Sequence, residues 1–301
     1  MVSSMLTLQQ CARGFEKVLE KLPGALRRPV EREWQPIREL FLNRRPPRIL
    51  VVGEPGEATE LWTKVVFGMD PLAAFEADAP PWRRWNGRGV LFLALAEDEA
   101  AAREMLKTEK PDLILYQGAG ESADMALLRG EVPGIFGGGA SREAILHQAA
   151  RLLPMEARLE FARASGEAPA QREIAAALTR STTAVCAAIG MQPIPLADFP
   201  ILTSLQVLMV SGIVHTTGRE WNGRLVRDFL GALGVNVGLG LVFRESARAA
   251  MKLVPGWGNA VSGAVAGAGT YAIGRAATVF FIEGASMEES RRQFRLFRGK
   301  K

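Results

Sequence analysis

The sequence predicts a mixed architecture, α/β plus all-α, in which a parallel sheet with flanking helices is followed by a C-terminal helical bundle. Three observations predict it. Short apolar runs alternate with amphipathic helical stretches from Arg48 to about Leu153, a rhythm that builds a parallel sheet covered on both faces. Beyond Pro154 that rhythm stops, and long segments rich in Ala, Gly and Leu take over. Finally, the chain has 301 residues, 48% of them hydrophobic and 23% charged, which at about 150 residues per domain makes roughly two domains with real cores. The expected division is a helical lead-in over 1–45, an α/β domain over 46–154, and a glycine-rich helical domain with a basic tail over 155–301.

Each element has a local reason. Leu8, Phe15, Val18, Leu19 and Leu22 recur at helical spacing before Pro23 and Gly24, and Trp34, Ile37, Leu40 and Phe41 mark a second helix. Arg44, Arg45, Pro46 and Pro47 form a stiff basic joint before the buried-strand run Ile49 to Val52, which ends at Gly53. A helical stretch near Thr59 to Phe67 follows, then a strand over Gly89 to Leu95, a helix rich in Ala and Glu, and a strand over Pro111 to Tyr116. A short helix near Met125 to Arg129, a strand at Val132 to Phe136 and a helix closing at Leu153 complete this half. The second half reads as helices over Met155 to Ser165, Ala170 to Gly190, Phe199 to Thr217, Arg219 to Leu253 with a break, and Trp257 to Ile282.

Composition excludes several function classes. Thirty-seven basic residues against 32 acidic ones give a net charge of +5 and a pI near 9.5, too modest an excess for a surface that coats nucleic acid. No specific nucleic-acid partner is expected. Cys11 and Cys186, like His147 and His215, lie far apart in sequence, so neither a structural metal site nor a disulfide scaffold is expected. The first twenty residues lack a basic start and an unbroken apolar core, and nothing before Cys11 reads as a small-residue cleavage site, so export is not indicated.

The most informative segment is Gly53 to Glu60, GEPGEATE, between the first strand and a helix. A phosphate-binding loop GxxxxGK[ST] cradles phosphates with backbone amides, reaches them with its lysine and holds magnesium with its hydroxyl. Here Gly53 and Gly56 remain, but Ala58, Thr59 and Glu60 stand where Gly, Lys and Ser would be. Glu54, Glu57 and Glu60 would oppose a triphosphate's own charge. Lys64 lies about a helical turn too far along to replace the lysine. The frame RPPRILVVGEPG followed by ELWTKVVFG nevertheless resembles the opening of an Era-like bacterial GTPase domain.

That resemblance implies a GTPase-like parallel sheet, and it also implies two further motifs that are missing. A DxxG would follow the third strand, where this chain has Ala94 to Glu97. An NKxD would follow the strand near Ile135, where it has Gly137 to Ser141. Gly137 to Gly139 read as a flexible strand-to-helix turn in preference to an anion nest. Glu97, Asp98 and Glu99 read as the charged start of a helix in preference to a metal site. The expectation is therefore a degenerate, non-catalytic domain, not an enzyme, without cofactor or metal. Its alternative is a residual nucleotide-binding switch, or a GTPase completed by a partner.

In the second half, Pro193 and Pro195 enforce an extended entry, Asp198 is placed to cap a helix, and Pro200 fits its first turn. Gly263 and Gly267 repeat at one helical turn beside Ala260, Ala264 and Ala268, and Gly234 and Gly238 repeat the same spacing, so the two helices are expected to pack through glycine faces. Together Pro193, Pro195, Asp198, Leu205, Gln206, Pro255, Gly256, Gly258, Tyr271, Gly274 and Arg275 resemble an uncharacterised bacterial glycine-rich helical domain of unknown function. That domain occurs behind Era-like GTPase domains and in predicted inner-membrane proteins. The resemblance covers about Ala170 to Gly284 and implies a scaffold or membrane-associated regulator.

Phe199 to Gly218 and Leu253 to Gly274 are uncharged, yet their hydroxyls and glycines make them borderline against the roughly twenty apolar residues a spanning helix needs. A soluble bundle or peripheral attachment is preferred over insertion. Arg275 is a candidate for a lipid-phosphate or partner anchor or for an ion pair with Asp198 or Glu245, and His215 reads as a helix-terminal histidine in preference to a pH switch. The tail offers Arg291, Arg292, Arg295, Arg298, Lys300 and Lys301 interleaved with Phe294, Leu296 and Phe297, a pattern that suits an anionic membrane surface or a solvated end. The expected partner is an unidentified protein or a second copy, and the expected location is the cytoplasm, with peripheral or integral attachment at the inner membrane left open.

Overall fold

The computed structural model describes residues 2–20, 24–53, 82–87, 91–96, 99–116, 132–136, 141–191, 198–219, 223–234 and 258–298. The chain is mixed α/β plus helical, and it divides into two compact units, residues 44–173 and residues 1–43 with 174–301.

Among the described residues the first unit is built on five strands, β1 (Arg48–Val52), β2 (Trp82–Gly87), β3 (Leu91–Ala96), β4 (Leu113–Tyr116) and β5 (Gly134–Phe136), in the order β2-β3-β1-β4-β5. Four of them run parallel, and β2 lies antiparallel at one edge. Register explains the core. Leu50 pairs with Ala94 and Ile114, and Val52 pairs with Ala96 and Tyr116. These rows share one face because strand side chains alternate. α3 (Glu99–Glu109) lays Ala101, Ala102 and Met105 on that face. Ile49, Val51, Leu113, Leu115 and Ile135 are buried as well, so both faces are covered, as parallel strands require.

Lys110 ends α3 in the left-handed region at φ 48°, immediately before Pro111. α4 (Arg142–Leu152) begins at Ser141, whose hydroxyl accepts the Ala144 N–H at 3.2 Å. It ends where Arg158 donates to the carbonyls of Leu153 and Arg151, both at 2.7 Å. α5 (Met155–Ser165) follows directly and stops at Gly166, φ 66°. It belongs to the α/β unit, which therefore extends beyond the expected boundary at 154. The sequence pattern predicts no strand at β2, which makes Leu91–Ala96 the third strand in chain order.

The second unit is helical. α1 (Val2–Leu19) and α2 (Gly24–Phe41) form a pair joined by Phe15 on Trp34, ring centroids 4.4 Å apart, and by Arg38 donating to Glu16 at 2.5 Å. They are not a separate lead-in. Ala12, Phe15, Leu19, Val30, Trp34, Ile37, Leu40 and Phe41 are all buried in this unit.

Among the described residues the remaining helices are α6 (Ala168–Gly190), which enters the unit at Ile174, then α7 (Asp198–Thr216), α8 (Gly223–Ala232), α9 (Gly258–Ala277) and α10 (Met287–Arg298). One wider turn, Thr278–Ile282, extends α9 with π-helical bonding. Phe229 of α8 packs on Phe281 of that turn, 4.9 Å between centroids. Gly212 of α7 has no room for a side chain, because a Cβ there would meet Phe41 at 2.5 Å and Leu178 at 2.9 Å.

Candidate functional site

The strand order reverses around β1, with β3 on one side and β4 on the other. In open α/β sheets the crevice for a ligand lies outside the carboxyl ends of the strands at such a switch point. Gly53 occupies that end of β1. It is buried, and its N–H donates to the Ala96 carbonyl at 3.1 Å, which carries the ladder one step past the strand. Gly56, Ala58, Thr59 and Glu60 lie outside the described residues, as do Gly137 to Gly139 and the helical stretches expected near Thr59 and Met125. At the end of β3, Ala94 and Ala96 are buried, Ala96 wholly so, and α3 starts at Glu99. Among the described residues no cluster of His, Cys, Asp or Glu could hold a metal ion.

Among the described residues, the best-developed polar constellation of this unit lies at the opposite edge. Arg45 donates to both carboxylate oxygens of Asp112, at 2.6 and 2.8 Å, and to Glu156 at 3.2 Å. The Arg48 N–H also donates to Asp112, at 2.9 Å. Arg44 pairs with the buried Glu160, which Arg163 also approaches at 3.5 Å. Burial pushes the Asp112 carboxyl up, but the hydrogen bonds from Arg45 and Arg48 and their charges outweigh it and hold the group below its ordinary value. Hydrogen bonding to Asp112 likewise raises the Arg45 guanidinium against its partial burial.

Arg48 opens β1 and Asp112 immediately precedes β4, so this network closes the amino-terminal edge of the sheet, away from the ligand-binding edge. It is structural. The basic joint is thus an anchored clamp, a role the sequence hid because Asp112 lies 67 residues from Arg45.

In the helical unit the expected glycine seam exists with a different partner. Gly263 and Gly267 face Ala187 and Thr183 of α6 and Met191 just beyond its end. Gly234 takes no part. It lies beyond α8 in the left-handed region at φ 77°, exposed, and donates its N–H to Gly231 at 2.9 Å. It is a helix stop, and Gly238 lies outside the described residues. Next to the seam, Gln206 of α7 donates to the Thr270 hydroxyl of α9 at 3.0 Å. Burial pushes the neighbouring Cys186 thiol of α6 up to about 12, against a hydrogen bond with Thr270 that lowers it. Such a thiol is inert, not nucleophilic.

Arg275 is half-buried, while the Asp198 side chain and Glu245 lie outside the described residues. His215 is buried at the end of α7. The stretch Ser262–Ile282 is long and apolar enough to cross a membrane, with mean hydropathy 1.3, but 56% of that window is buried inside the protein, as a core helix would be.

On α10, Arg291 donates to the Ala232 carbonyl at 2.6 Å and Arg292 to Glu289 at 2.9 Å, while Arg295 and Leu296 are exposed. Arg298 ends the helix, and Lys300 and Lys301 lie outside the described residues. Comparison with models of known protein families, with characterised proteins and with solved structures gives no match.

Proposed function

We propose that this chain is a non-catalytic scaffold or regulator whose α/β unit keeps the frame of a GTPase domain without its chemistry, and whose helical unit engages a protein partner or a second copy. One observation carries the reading. β1, the strand that leads into GEPGEATE, lies at the point of the sheet where the strand order reverses. A phosphate-binding loop belongs there, yet the chain supplies Ala58, Thr59 and Glu60 in place of Gly, Lys and Ser. The added strand β2 supports the same frame, since it puts Ala94 to Glu97 after the third strand, where the missing magnesium motif would stand. The expected location is the cytoplasm.

Titrating the full chain with labelled GTP, GDP, ATP and ADP in magnesium, alongside a hydrolysis assay against a no-protein control, tests the reading. Neither saturable binding nor turnover is expected. Saturable binding that disappears in Gly56→Glu would overturn it in favour of a residual nucleotide switch. Restoring the loop with Ala58→Gly, Thr59→Lys and Glu60→Ser is expected to gain phosphate affinity without preference for guanine, because no NKxD is present.

A further inference from the structure

We infer that α10 is a docking helix for an anionic lipid surface, a property that goes beyond the scaffold reading and does not depend on it. Its inner face is committed to the protein. Ser290 and Phe294, one helical turn apart, are both buried, and the helix packs along α9. Its outer face carries Arg291, Arg292 and Arg295, all exposed, together with Leu296. At 57% exposure Leu296 is the most exposed large apolar side chain among the described residues.

Charge is sorted along this segment. Glu288 and Glu289 fall in the first turn, where they suit the positive end of the helix dipole. Arg291, Arg292, Arg295 and Arg298 occupy the turns after it, and Lys300 and Lys301 follow. From Met287 to Lys301, six basic residues less two acidic ones leave +4, against +5 for the whole chain. Most of the net charge is therefore concentrated in fifteen residues of sequence.

The two polar contacts on this face leave its charge available. The Arg292 pair with Glu289 joins side chains 70% and 35% exposed, the kind of surface pair that contributes little and yields readily to another anion. Arg291 engages the Ala232 carbonyl through Nε alone, so its terminal amino groups are still donors. An exposed leucine between arginines selects a bilayer over a soluble anion. Lipid phosphates satisfy the guanidinium groups while the apolar side chain enters the acyl boundary, the mode of an interfacial amphipathic helix.

The test is co-sedimentation of the full chain with phosphatidylcholine vesicles with and without phosphatidylglycerol, at low and high salt, with duplex DNA as a polyanion that has no apolar interior. The chain is expected to bind only the vesicles containing phosphatidylglycerol, and high salt is expected to release it. Each arginine neutralised is expected to cost about fivefold, so Arg292→Gln with Arg295→Gln is expected to lose about 25-fold. Leu296→Ser is expected to weaken vesicle binding while leaving any DNA binding unchanged.

Binding to neutral vesicles, retention at high salt, a duplex-DNA affinity equal to that for the anionic vesicles, or no vesicle binding at all would each overturn the assignment. The wild-type comparison of lipids and salt stands even where a variant fails to fold.

Discussion

Gly263 faces the backbone of Ala187 so closely that a Cβ built on it would stand 2.8 Å from the Ala187 carbonyl oxygen. Thr179, Thr183 and Ala187 of α6 and Met191 just beyond it recur every four residues, and against them, in reverse order, stand Gly274, Gly267 and Gly263 of α9. The two helices therefore run antiparallel with a four-residue ridge in a glycine groove. Beside Gly263 the same crossing leaves 2.8 Å between a Cβ on Gly190 and the Ala266 methyl.

Gly267→Leu is consequently expected to destabilise the protein by about 1–3 kcal/mol through overpacking, since even a Cβ there would meet the Ala187 methyl at 3.2 Å. Gly284 is not a neutral comparison, because its φ of 70° strains any other residue. Gly269, in the same helix with nothing within 4 Å of a Cβ, is the proper control. Gly269→Ala is expected to stabilise by up to about 1 kcal/mol through helix propensity. Thermal melting of both variants reads the opposite signs. Equal shifts would mean that the groove is not an internal seam.

Thr179 has its buried hydroxyl directed at Gly274, with no hydrogen-bond partner among the described residues. A buried hydroxyl left unpaired costs about 1–3 kcal/mol, and valine keeps the β-branched shape without it. Thr179→Val is thus expected to raise the midpoint of denaturant unfolding, with the slope unchanged. A lowered midpoint would show that the hydroxyl is paired in solution.

How much of this was legible in the sequence depends on whether the cause of each element is local. β1, β3, β4 and β5 are bounded apolar runs, and they appear where those runs lie, to within two residues. β2 is Trp-Arg-Arg-Trp-Asn-Gly, neither continuously apolar nor alternating, and its strand state follows from antiparallel pairing with β3 across Trp82 to Ala96 and Trp85 to Leu93.

The amphipathic faces of α1 and α2 announce burial but not the surface that buries them. Their assignment to the helical unit rests on contacts such as Phe41 with Gly212, distant in the chain. Four-residue glycine spacing likewise does not separate a seam from a helix stop. The positive φ of Gly234 does. The clamp of Arg45 on Asp112 was illegible for the same reason of distance, whereas the loss of the phosphate-binding residues is purely a matter of sequence.

Asp112→Asn is expected to cost about 2–4 kcal/mol at neutral pH. It removes the charge that meets two arginines while its side chain is only 7% exposed, discounted because Arg45 is 30% exposed. The pH dependence has a definite sign. The folded-state Asp112 lies below its ordinary 3.8, so its contribution is fully present above that value and is lost as pH falls through the folded pKa below it. Urea unfolding followed from neutral pH downward is expected to show a steeper acid loss for the wild type than for Asp112→Asn. Parallel curves would remove Asp112 from the acid response.

Cys186 gives the corresponding dependence at the alkaline end. Its thiol is buried among helices and titrates at about 12 instead of the ordinary 9.0. In the unfolded chain the thiol ionises first, so between those two values the unfolded state binds fewer protons and stability falls as pH rises. The contribution is intact below the unfolded value and is lost progressively toward the folded one. Cys186→Ala is expected to flatten the part of the alkaline loss that the thiol causes, at the expense of about 1 kcal/mol or more from the vacated volume at neutral pH.

A Cys11→Ser background leaves Cys186 as the one thiol of the chain, so that a thiol reagent reports it alone. Under native conditions at pH 8 the reagent is expected to react only at the rate of global unfolding, and in denaturant immediately. Fast labelling of the folded protein would mean that the α6 face at Cys186 opens to solvent. An alkaline stability curve unchanged in Cys186→Ala would mean that the loss comes from other groups.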